Sequence, residues 1–306
     1  MAGGMNTTGN NPALLYPGIK ALYGVYDMDW ENQYDALYDK VTSDKQYETY
    51  VQMTGFPLAQ PKTETGTFTY VSNTQGYTYR LTNIGIGLGF FVSHEELTDN
   101  LYKDKATDRV AMLNRSMKMY KEFSAVSLYN NAASSSITYA DGVSLLNSAH
   151  PTVSGLQSNQ LAVASDLSEA AIEDAIIQLA GTVDDIGLPF HLKGESLIIP
   201  RQRMFDAERI LKSTNRQGTA NNDINAGLAM KILPKGIIMN PYLTNAGAWF
   251  IRTNVPEGKG LVLQTREEIS LDIANDIDTK GVKHTAYERY VFGCVDWRAV
   301  IGSVGP

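Results

Sequence analysis

A chain of 306 residues, of which 43% are hydrophobic and 19% charged, is long enough to bury a sizeable core and suggests about two domains. Its net charge of −7 argues against tight, counterion-driven binding to nucleic acid, which needs clustered lysine and arginine. The single cysteine, Cys294, excludes an intrachain disulfide, and the longest apolar stretch, near residues 84–92, is far too short to span a membrane.

The first 50 residues are polar and weakly periodic, and their opening, MAGGMNTTGNNP, lacks the charged and apolar regions of a signal peptide. The stretch WENQYDALYDKV predicts a short amphipathic helix, because Trp30, Tyr34, Leu37 and Val41 follow helical spacing. Two prolines and two glycines in GFPLAQPKTETG, residues 55–66, then indicate an extended or irregular segment.

A β-hairpin is predicted next, because TFTYV and YTYRLTNI alternate β-forming residues on either side of the turn-forming SNTQG. Tyr77, Tyr79 and Leu81 would share one face of this hairpin. An isolated two-stranded hairpin is only marginally stable in water, so the first third of the chain has no convincing core of its own.

This same third contains ten of the 17 tyrosines. Tyrosine is enriched at protein interfaces, where its ring buries area and its hydroxyl stays paired, so we predict that neighbouring subunits stabilise these segments. The alternative is that tyrosine simply suits strands and irregular segments. The residues predicted to lie at an intersubunit interface are Trp30, Tyr34, Tyr38, Tyr70, Tyr77 and Tyr79.

The segment NIGIGLGFFVSHEELTDNLY, residues 83–102, begins like a dinucleotide-binding fingerprint, with Gly85 and Gly87 at the first two glycine positions. Phe90 stands at the third position, however, and the glycines alternate with apolar residues at a period of two. We therefore predict a strand with one bare face, against which another backbone or a helix packs closely, and no phosphate site.

A helix is predicted to begin at Ser93, because Ser93 and Glu96 form a capping-box pattern in which each side chain bonds the backbone N–H of the other. Apolar residues then recur at helical spacing, and neither proline nor glycine occurs between Gly89 and Gly142. The helix is expected to run to about Asn131 and to exceed about 50 Å in length, whereas an average helix has about 11–12 residues.

The rest of the chain mixes predicted helices and strands, so the predicted fold class is α+β. SEAAIEDAIIQLAGTVDD predicts a helix with Ser168 as its N-cap, and RQRMFDAERILKS predicts another. GESLIIP, WFIRT, GLVLQT and EEISLDIA predict strands, and the C-terminal HTAYERYVFGCVDWRAVIGSV is rich in strand-forming residues.

Nothing in the sequence predicts catalysis, a metal site or a cofactor. The four histidines lack metal-ligand spacing, EGKG lacks the remainder of a phosphate-binding loop, and no G-x-S-x-G elbow occurs. Asp184 and Asp185 are adjacent, but their position favours a solvated helix end over a metal pair.

Taken in order, these elements resemble those of the major capsid proteins of tailed bacteriophages, which have the Hong Kong 97 fold. Within that group the sequence is similar to the Mu-like head subunits. The resemblance rests on WENQYDALYDKVTSDKQYE, the hairpin, IGIGLGFFVSHEELTDNLY, YADGVSLLNSAHP, LSEAAIEDAI and LIIPRQRMFDAERILKS, which occur in this order.

The resemblance implies a division of the chain into the parts of such a subunit. These are an N-arm over residues 1–50, an E-loop hairpin over 51–83, a P-domain with a long spine helix over 84–145, a region that is mainly A-domain over 146–264, and closing strands over 265–306 that belong mainly to the P-domain. The N-arm and the E-loop would reach across neighbouring subunits.

The resemblance also implies a structural role without enzymatic activity. The chain would assemble into pentamers and hexamers of an icosahedral head that encloses double-stranded DNA, after synthesis in the cytoplasm of the host bacterium. Its partners would be further copies of itself, a portal protein, a separate scaffolding protein, a decoration protein and, through weak non-specific contact, the packaged DNA, with no membrane and no cofactor. Two alternatives remain: an encapsulin-like compartment shell, and a soluble enzyme or binding protein with a tyrosine-rich face.

Overall fold

The structure is a computed structural model that describes residues 5–6, 31–99, 103–215 and 223–305. The strands are β1 Met5–Asn6, β2 Asp39–Thr42, β3 Tyr47–Met53, β4 Gln75–Thr82, β5 Ile84–Val92, β6 His150–Thr152, β7 Gly155–Gln157, β8 Gly194–Pro200, β9 Gly236–Asn240, β10 Trp249–Thr253, β11 Leu261–Asn275, β12 Val282–Cys294 and β13 Val300–Ser303. The α-helices are α1 His94–Asp99, α2 Lys103–Asn130, α3 Glu169–Ala180, α4 Met204–Lys212 and α5 Ala226–Met230.

The described strands form two principal sheets and two separate hairpins. A five-stranded sheet has the order β1-β5-β12-β11-β2, and a four-stranded sheet has the order β13-β10-β8-β9. The hairpins are β3–β4 and β6–β7. This mixture of helices and sheets confirms the predicted α+β class. Within the ranges given above, no helix is both long and apolar enough to cross a membrane.

Helix α2 lies across the five-stranded sheet. Its 28 residues extend for about 42 Å, and Leu113 and Met117 pack against Ala286 of β12. The sequence predicts one continuous helix from Ser93 to about Asn131, whereas the structure describes α1 and α2; residues 100–102, where they would join, lie outside the described residues. The two helices are tied together by an ion pair of 2.8 Å between Arg109 Nη2 and Glu96 Oε1.

Strand β5 shows the alternation that its glycines predict. Ile86 and Phe90 pack towards α2, while the opposite face carries Gly85, Gly87 and Gly89. A Cβ atom on Gly85 would lie 2.6 Å from the Tyr287 hydroxyl, and one on Gly89 would lie 2.8 Å from the backbone oxygen of His284. The predicted close approach therefore comes from the paired strand β12, with a tyrosine ring over Gly85 and backbone at Gly89, and not from a helix.

The four-stranded sheet has its own core. Leu197 and Ile199 of β8 are fully buried with Trp249 of β10 and with Ile172 of α3. Ser168 caps α3 as predicted, because its Oγ accepts a hydrogen bond of 3.2 Å from the backbone N–H of Ala171. The predicted strands GESLIIP and WFIRT are confirmed as β8 and β10.

The hairpin forms with a different partner from the one predicted. Strand β4 pairs with β3, so that Tyr79 lies opposite Tyr50 and Leu81 opposite Glu48, and TFTYV belongs to an irregular loop over residues 54–74. The reason is visible in the burial of β3, whose alternate residues face inward, so that they continue the inward face of β4. The prolines and glycines of residues 55–66 prevent a strand there.

The short helix predicted for WENQYDALYDKV near the sheet edge does not form. From residue 31 onward, this stretch forms a single 3-10 turn at Tyr34–Ala36 and then strand β2, which pairs in parallel with Val262–Thr265 of β11. The open edge of β11 supplies backbone hydrogen bonds that a short helix could not match. GLVLQT and EEISLDIA are confirmed as strands, but they form one strand, β11, which continues through irregular pairing around Glu267.

Candidate interaction surfaces

Tyr34 and Tyr38, predicted to contact a neighbouring subunit, lie in the core of their own chain. Tyr38 Oη donates a hydrogen bond of 2.6 Å to the carbonyl oxygen of Ala125, and its ring centre lies 4.8 Å from that of Phe292. Burial raises the pKa of both tyrosine hydroxyls well above its ordinary value. The interface prediction for these two residues is wrong, because helix α2 and strand β12 already cover their rings. Trp30 lies outside the described residues, so its role stays a prediction.

Tyr77 and Tyr79 also face the body of their own chain. The body is our name for the two principal sheets and the helices packed against them. Tyr77 Oη donates to the carbonyl oxygen of Pro151, and burial raises the pKa of Tyr79 to about 12. On the paired strand, Tyr50 Oη donates a hydrogen bond of 3.2 Å to Gln264 Oε1. Tyr77 and Tyr79 therefore have partners within their own chain, and their contact with a neighbouring subunit stays a prediction.

The loop over residues 54–74 is the most exposed apolar segment near the hairpin. Tyr70 is 90% exposed, so it remains an interface candidate, and Phe56, Leu58 and Phe68 are each more than half exposed. We call these four residues the loop patch. Residues 55–66 were predicted to be irregular, whereas Phe68 and Tyr70 belong to TFTYV, which was predicted to be a strand of the hairpin. In the loop these apolar side chains have no core of their own to cover them.

A second exposed apolar area lies at the far end of the β11–β12 ribbon. Leu271 and Ile273 are 49% and 68% exposed, and they sit opposite Ala286 and His284 in the ladder. Strand β2 pairs with β11 only as far as Thr265, so among the described strands none adjoins the outer edge of β11 beyond that point. An exposed strand edge with apolar side chains is a template for association with another chain.

Ser93 occupies the N-terminal end of α1. Its Oγ accepts a hydrogen bond of 3.2 Å from the backbone N–H of Glu96. The Glu96 carboxylate is almost fully buried and pairs with Arg109, as described above. The reciprocal bond from Glu96 to the backbone of Ser93 stays a prediction.

The loop YADGVSLLNSAHP is held by a buried polar cluster around His150. The imidazole Nδ1 faces the Asp141 carboxylate, Nε2 lies 2.9 Å from Asn159 Oδ1, and the ring stacks on Trp297 at 4.3 Å. The Asn159 amide nitrogen donates to the carbonyl oxygen of Leu145 at 2.6 Å. The cluster thus joins the loop to the C-terminal residues, and its role is structural.

A cleft of about 550 Å³ separates the hairpin from the body. The cleft is lined by an ion pair of 2.8 Å between Arg298 Nη2 and Asp185 Oδ1. The prediction that Asp185 belongs to a solvated helix end is therefore wrong. Burial raises the pKa of the neighbouring Asp296, although Arg298 opposes that shift. No group of side chains that could hold a metal ion occurs within the described ranges.

Over residues 82–303 the sequence matches the family described as phage capsid protein. The chain belongs to this family. It is therefore a structural protein, a major capsid subunit that associates with copies of itself and resides in the capsid of the virion. Curated protein sequences give no match.

Solved structures of phage capsids show the same fold. A chain of the capsid of cyanophage P-SCSP1u has a TM-score of 0.58 at 9% identity, over 95% of this chain and 93% of that one. For Mycobacterium phage Adephagia the TM-score is 0.56 at 12% identity, over 99% of both chains. A chain of the bacteriophage JBD30 capsid, decorated with minor capsid protein trimers, has a TM-score of 0.56 at 12% identity, over 79% of this chain and 100% of that one.

These similarities confirm the predicted Hong Kong 97-type fold and the predicted capsid function. The family match also favours a phage head over an encapsulin-like compartment, and it contradicts the alternative of a soluble enzyme or binding protein. The finer resemblance to Mu-like head subunits and the boundaries of the named parts stay predictions.

Proposed function

We propose that this chain forms the pentamers and hexamers of an icosahedral head around double-stranded DNA, and that the loop patch is a principal contact between its subunits. The observation that carries this proposal is the exposure of Phe56, Leu58, Phe68 and Tyr70 on a loop that extends from the well-buried body. A soluble monomer rarely exposes four such large apolar side chains on one loop unless they bind something.

The named parts of a capsid subunit can be assigned to the observed elements. We assign residues 1–50 to the N-arm, 51–83 to the E-loop, 84–145 to the P-domain with α2 as its spine, 146–264 mainly to the A-domain, and 265–306 mainly to the P-domain. The assignment is supported by the order of the hairpin, the five-stranded sheet with α2, and the four-stranded sheet with α3 and α4. Because β3 begins at Tyr47, the E-loop would begin slightly earlier than the sequence suggests.

Assembly would depend on several modest contacts acting together. A ring forms when each subunit uses one surface to contact a different surface of the next copy. The ring closes when the rotation from one copy to the next adds up to a full turn. In a closed shell each contact raises the effective concentration for the next, so weak individual contacts suffice. The loop patch, with Tyr70, would supply one such surface, and the N-arm with Trp30 another.

Other partners follow from the function of a phage head. We propose a portal protein, a separate scaffolding protein and a decoration protein, in line with the minor capsid trimers that decorate the JBD30 capsid. The packaged DNA would touch the shell only weakly, since the net charge of −7 gives no general attraction for phosphates. Synthesis would take place in the cytoplasm of the host bacterium.

The proposal is tested by making the loop patch polar without changing the body. The variant Phe56→Ser/Leu58→Ser/Phe68→Ser should remain folded by circular dichroism, because these residues are exposed, but should form few or no shells by light scattering and negative-stain microscopy. The matched control Phe56→Leu/Leu58→Met/Phe68→Leu keeps the patch apolar and should assemble. Normal shells from the serine variant would contradict the role of the patch, and a native chain that never forms particles would contradict the shell itself.

A further inference from the structure

The β3–β4 hairpin is attached to its own chain at two separate levels, the first of which is its base. Leu81 of β4 fills a space above Gly293, where an added Cβ would lie only 2.4 Å from Leu81 Cδ2. The buried Gln264 accepts the Tyr50 hydroxyl at 3.2 Å and donates to Asn83 Oδ1 at 2.9 Å. These contacts fix the end of the hairpin that adjoins β5.

The second level lies nearer the loop and consists of one hydrogen bond from each strand. Gln52 Nε2 of β3 donates a bond of 2.6 Å to Asp185 Oδ2, and Tyr77 Oη of β4 donates to the carbonyl oxygen of Pro151. We call these four residues the latch. Its two acceptors lie outside the hairpin, on β6 and on the turn that follows α3.

The acceptor Asp185 is held firmly in place. Its Oδ1 accepts the Arg298 guanidinium at 2.8 Å, and the Arg298 side chain is only 3% exposed. The backbone oxygen of Asp185 accepts the N–H of Ser154 at 2.9 Å, which ties the turn to the β6–β7 hairpin that also carries Pro151. A hydrogen bond to an ionised acceptor in a partly dry site is stronger than one between neutral groups, so the Gln52 contact is well suited to hold the hairpin.

From these contacts we infer that the latch sets the angle between the hairpin and the body of its own chain. A rigid two-stranded element held at two levels cannot pivot, whereas one held only at its base can swing, and the adjacent cleft of about 550 Å³ means that little other packing joins the hairpin to the body there. The angle decides where the loop patch meets a neighbouring subunit, and hence the curvature of the shell. This inference rests on the proposed function, because it treats the loop as an intersubunit contact.

The latch itself is tested on the unassembled subunit by a distance measurement. Spin labels at Met53→Cys, at the exposed loop end of β3, and at Glu257→Cys on the body report the hairpin angle, and the native Cys294 is buried and should escape labelling. In the variant Gln52→Ala/Tyr77→Phe, the fraction of subunits with a released hairpin should rise by about tenfold. These subunits are recognised by a longer distance between the two spin labels. The control Val51→Ala/Thr78→Ser alters the adjacent cross-strand pair on the outer face and should leave the distances unchanged.

Shell formation by the same variants separates the inference from the proposed function. The latch variant should form shells with a broader range of diameters than the native chain or the control, as measured by electron microscopy. Unchanged distances in the latch variant would overturn the inference, and so would released distances combined with native shell diameters. If no variant and no native protein forms shells, the proposed function fails, while the distance measurement still decides whether the latch exists.

Discussion

At the scale of single residues, the most consequential charge is buried between α2 and the five-stranded sheet. Lys121 Nζ lies 3.1 Å from Glu288 Oε2, and the two side chains are only 9% and 4% exposed. Lys121 also lies 4.6 Å above the ring of Tyr290. Burial raises the pKa of Glu288, while Lys121 opposes that shift by favouring the carboxylate.

Lys121→Met should therefore destabilise the chain by about 3–5 kcal/mol at neutral pH, because it leaves a carboxylate buried without its cation. A raised pKa in the folded state means that the folded chain binds the Glu288 proton more tightly than the unfolded chain. The stability that the folded chain gains by binding this proton is present at low pH, and it is lost as the pH rises through the pKa of Glu288 in the folded chain. Denaturant unfolding should thus show a smaller deficit at about pH 5 than at about pH 8.

The double variant Lys121→Met/Glu288→Gln serves as the control for this prediction. Both charges are then absent, so the double variant should be more stable than Lys121→Met alone at about pH 8 and should lose the extra dependence on pH. If Lys121→Met and the double variant are equally stable at both pH values, the buried carboxylate is not the source of the cost.

The cap of α1 supports a second prediction at this scale. Ser93→Ala removes the side-chain acceptor for the N–H of Glu96 and should cost about 0.5–2 kcal/mol in the free energy of unfolding. Ser72→Ala, in the exposed loop, changes the same side chain without touching a helix end and should be neutral. If Ser93→Ala leaves the denaturant midpoint unchanged, the cap does not contribute to the stability of the fold.

Local signals of this kind can be found in the sequence, but the environment of a side chain cannot. Ser93 and Ser168 are recognisable as caps because the pattern and its bonding partner lie within four residues. Whether Tyr38 faces the core or a neighbouring subunit depends on Ala125 and Phe292, which lie far along the chain. Composition therefore predicted a tyrosine-rich interface, and the alternation of TFTYV predicted a strand where Phe68 and Tyr70 lie exposed on a loop.

At the scale of the elements, close packing between strands depends on a few glycines. Gly302 of β13 is the clearest example, because a Cβ atom there would lie 2.4 Å from the carbonyl oxygen of Trp249 and 3.0 Å from Phe250 Cα. Both neighbouring atoms belong to the backbone of β10, which cannot move without breaking the ladder between β10 and β13.

Gly302→Ala should therefore destabilise the four-stranded sheet by at least about 1–3 kcal/mol, the usual cost of overpacking a core. Thermal unfolding followed by circular dichroism would measure the loss. Gly181→Ala is the matched control, since its Cβ would meet nothing closer than 3.6 Å and its backbone is already right-handed. Equal melting temperatures for the two variants would mean that β10 and β13 can separate without penalty.

The type of each element was easier to predict than its pairing. Strands β5, β8 and β10 and helices α3 and α4 follow from periodicity and end signals, which are local. The pairing of β4 with β3 across the loop over residues 54–74 is not local, and the nearer TFTYV offered the same alternation. Strand β2 was missed for the same reason, because it forms only where the edge of β11 is available.

At the scale of the whole molecule, the body and the loop differ in how they are stabilised. The two largest buried clusters among the described residues lie in the body, one beneath the C-terminal part of α2 and the other around the four-stranded sheet. The hairpin joins this body through its base and the latch, whereas the loop over residues 54–74 offers its apolar side chains to solvent. Ordering a chain costs about 1–2 kcal/mol per residue, so a segment without internal contacts needs a neighbour to become rigid.

Hydrogen exchange on unassembled subunits and on shells should separate these two behaviours. The amides of β3 and β4 should be protected in both states, because they pair with each other and the hairpin is held by its own chain. The amides of the loop over residues 54–74 should exchange quickly in the subunit and slowly in the shell, where a neighbouring copy would cover the loop patch. The β6–β7 hairpin, which packs beside the latch, provides an internal reference whose protection should not depend on assembly. Equal exchange of the loop in both states would mean that Phe56, Leu58, Phe68 and Tyr70 stay uncovered in the shell, and the subunits would then have to be joined through other surfaces, such as the exposed end of the β11–β12 ribbon.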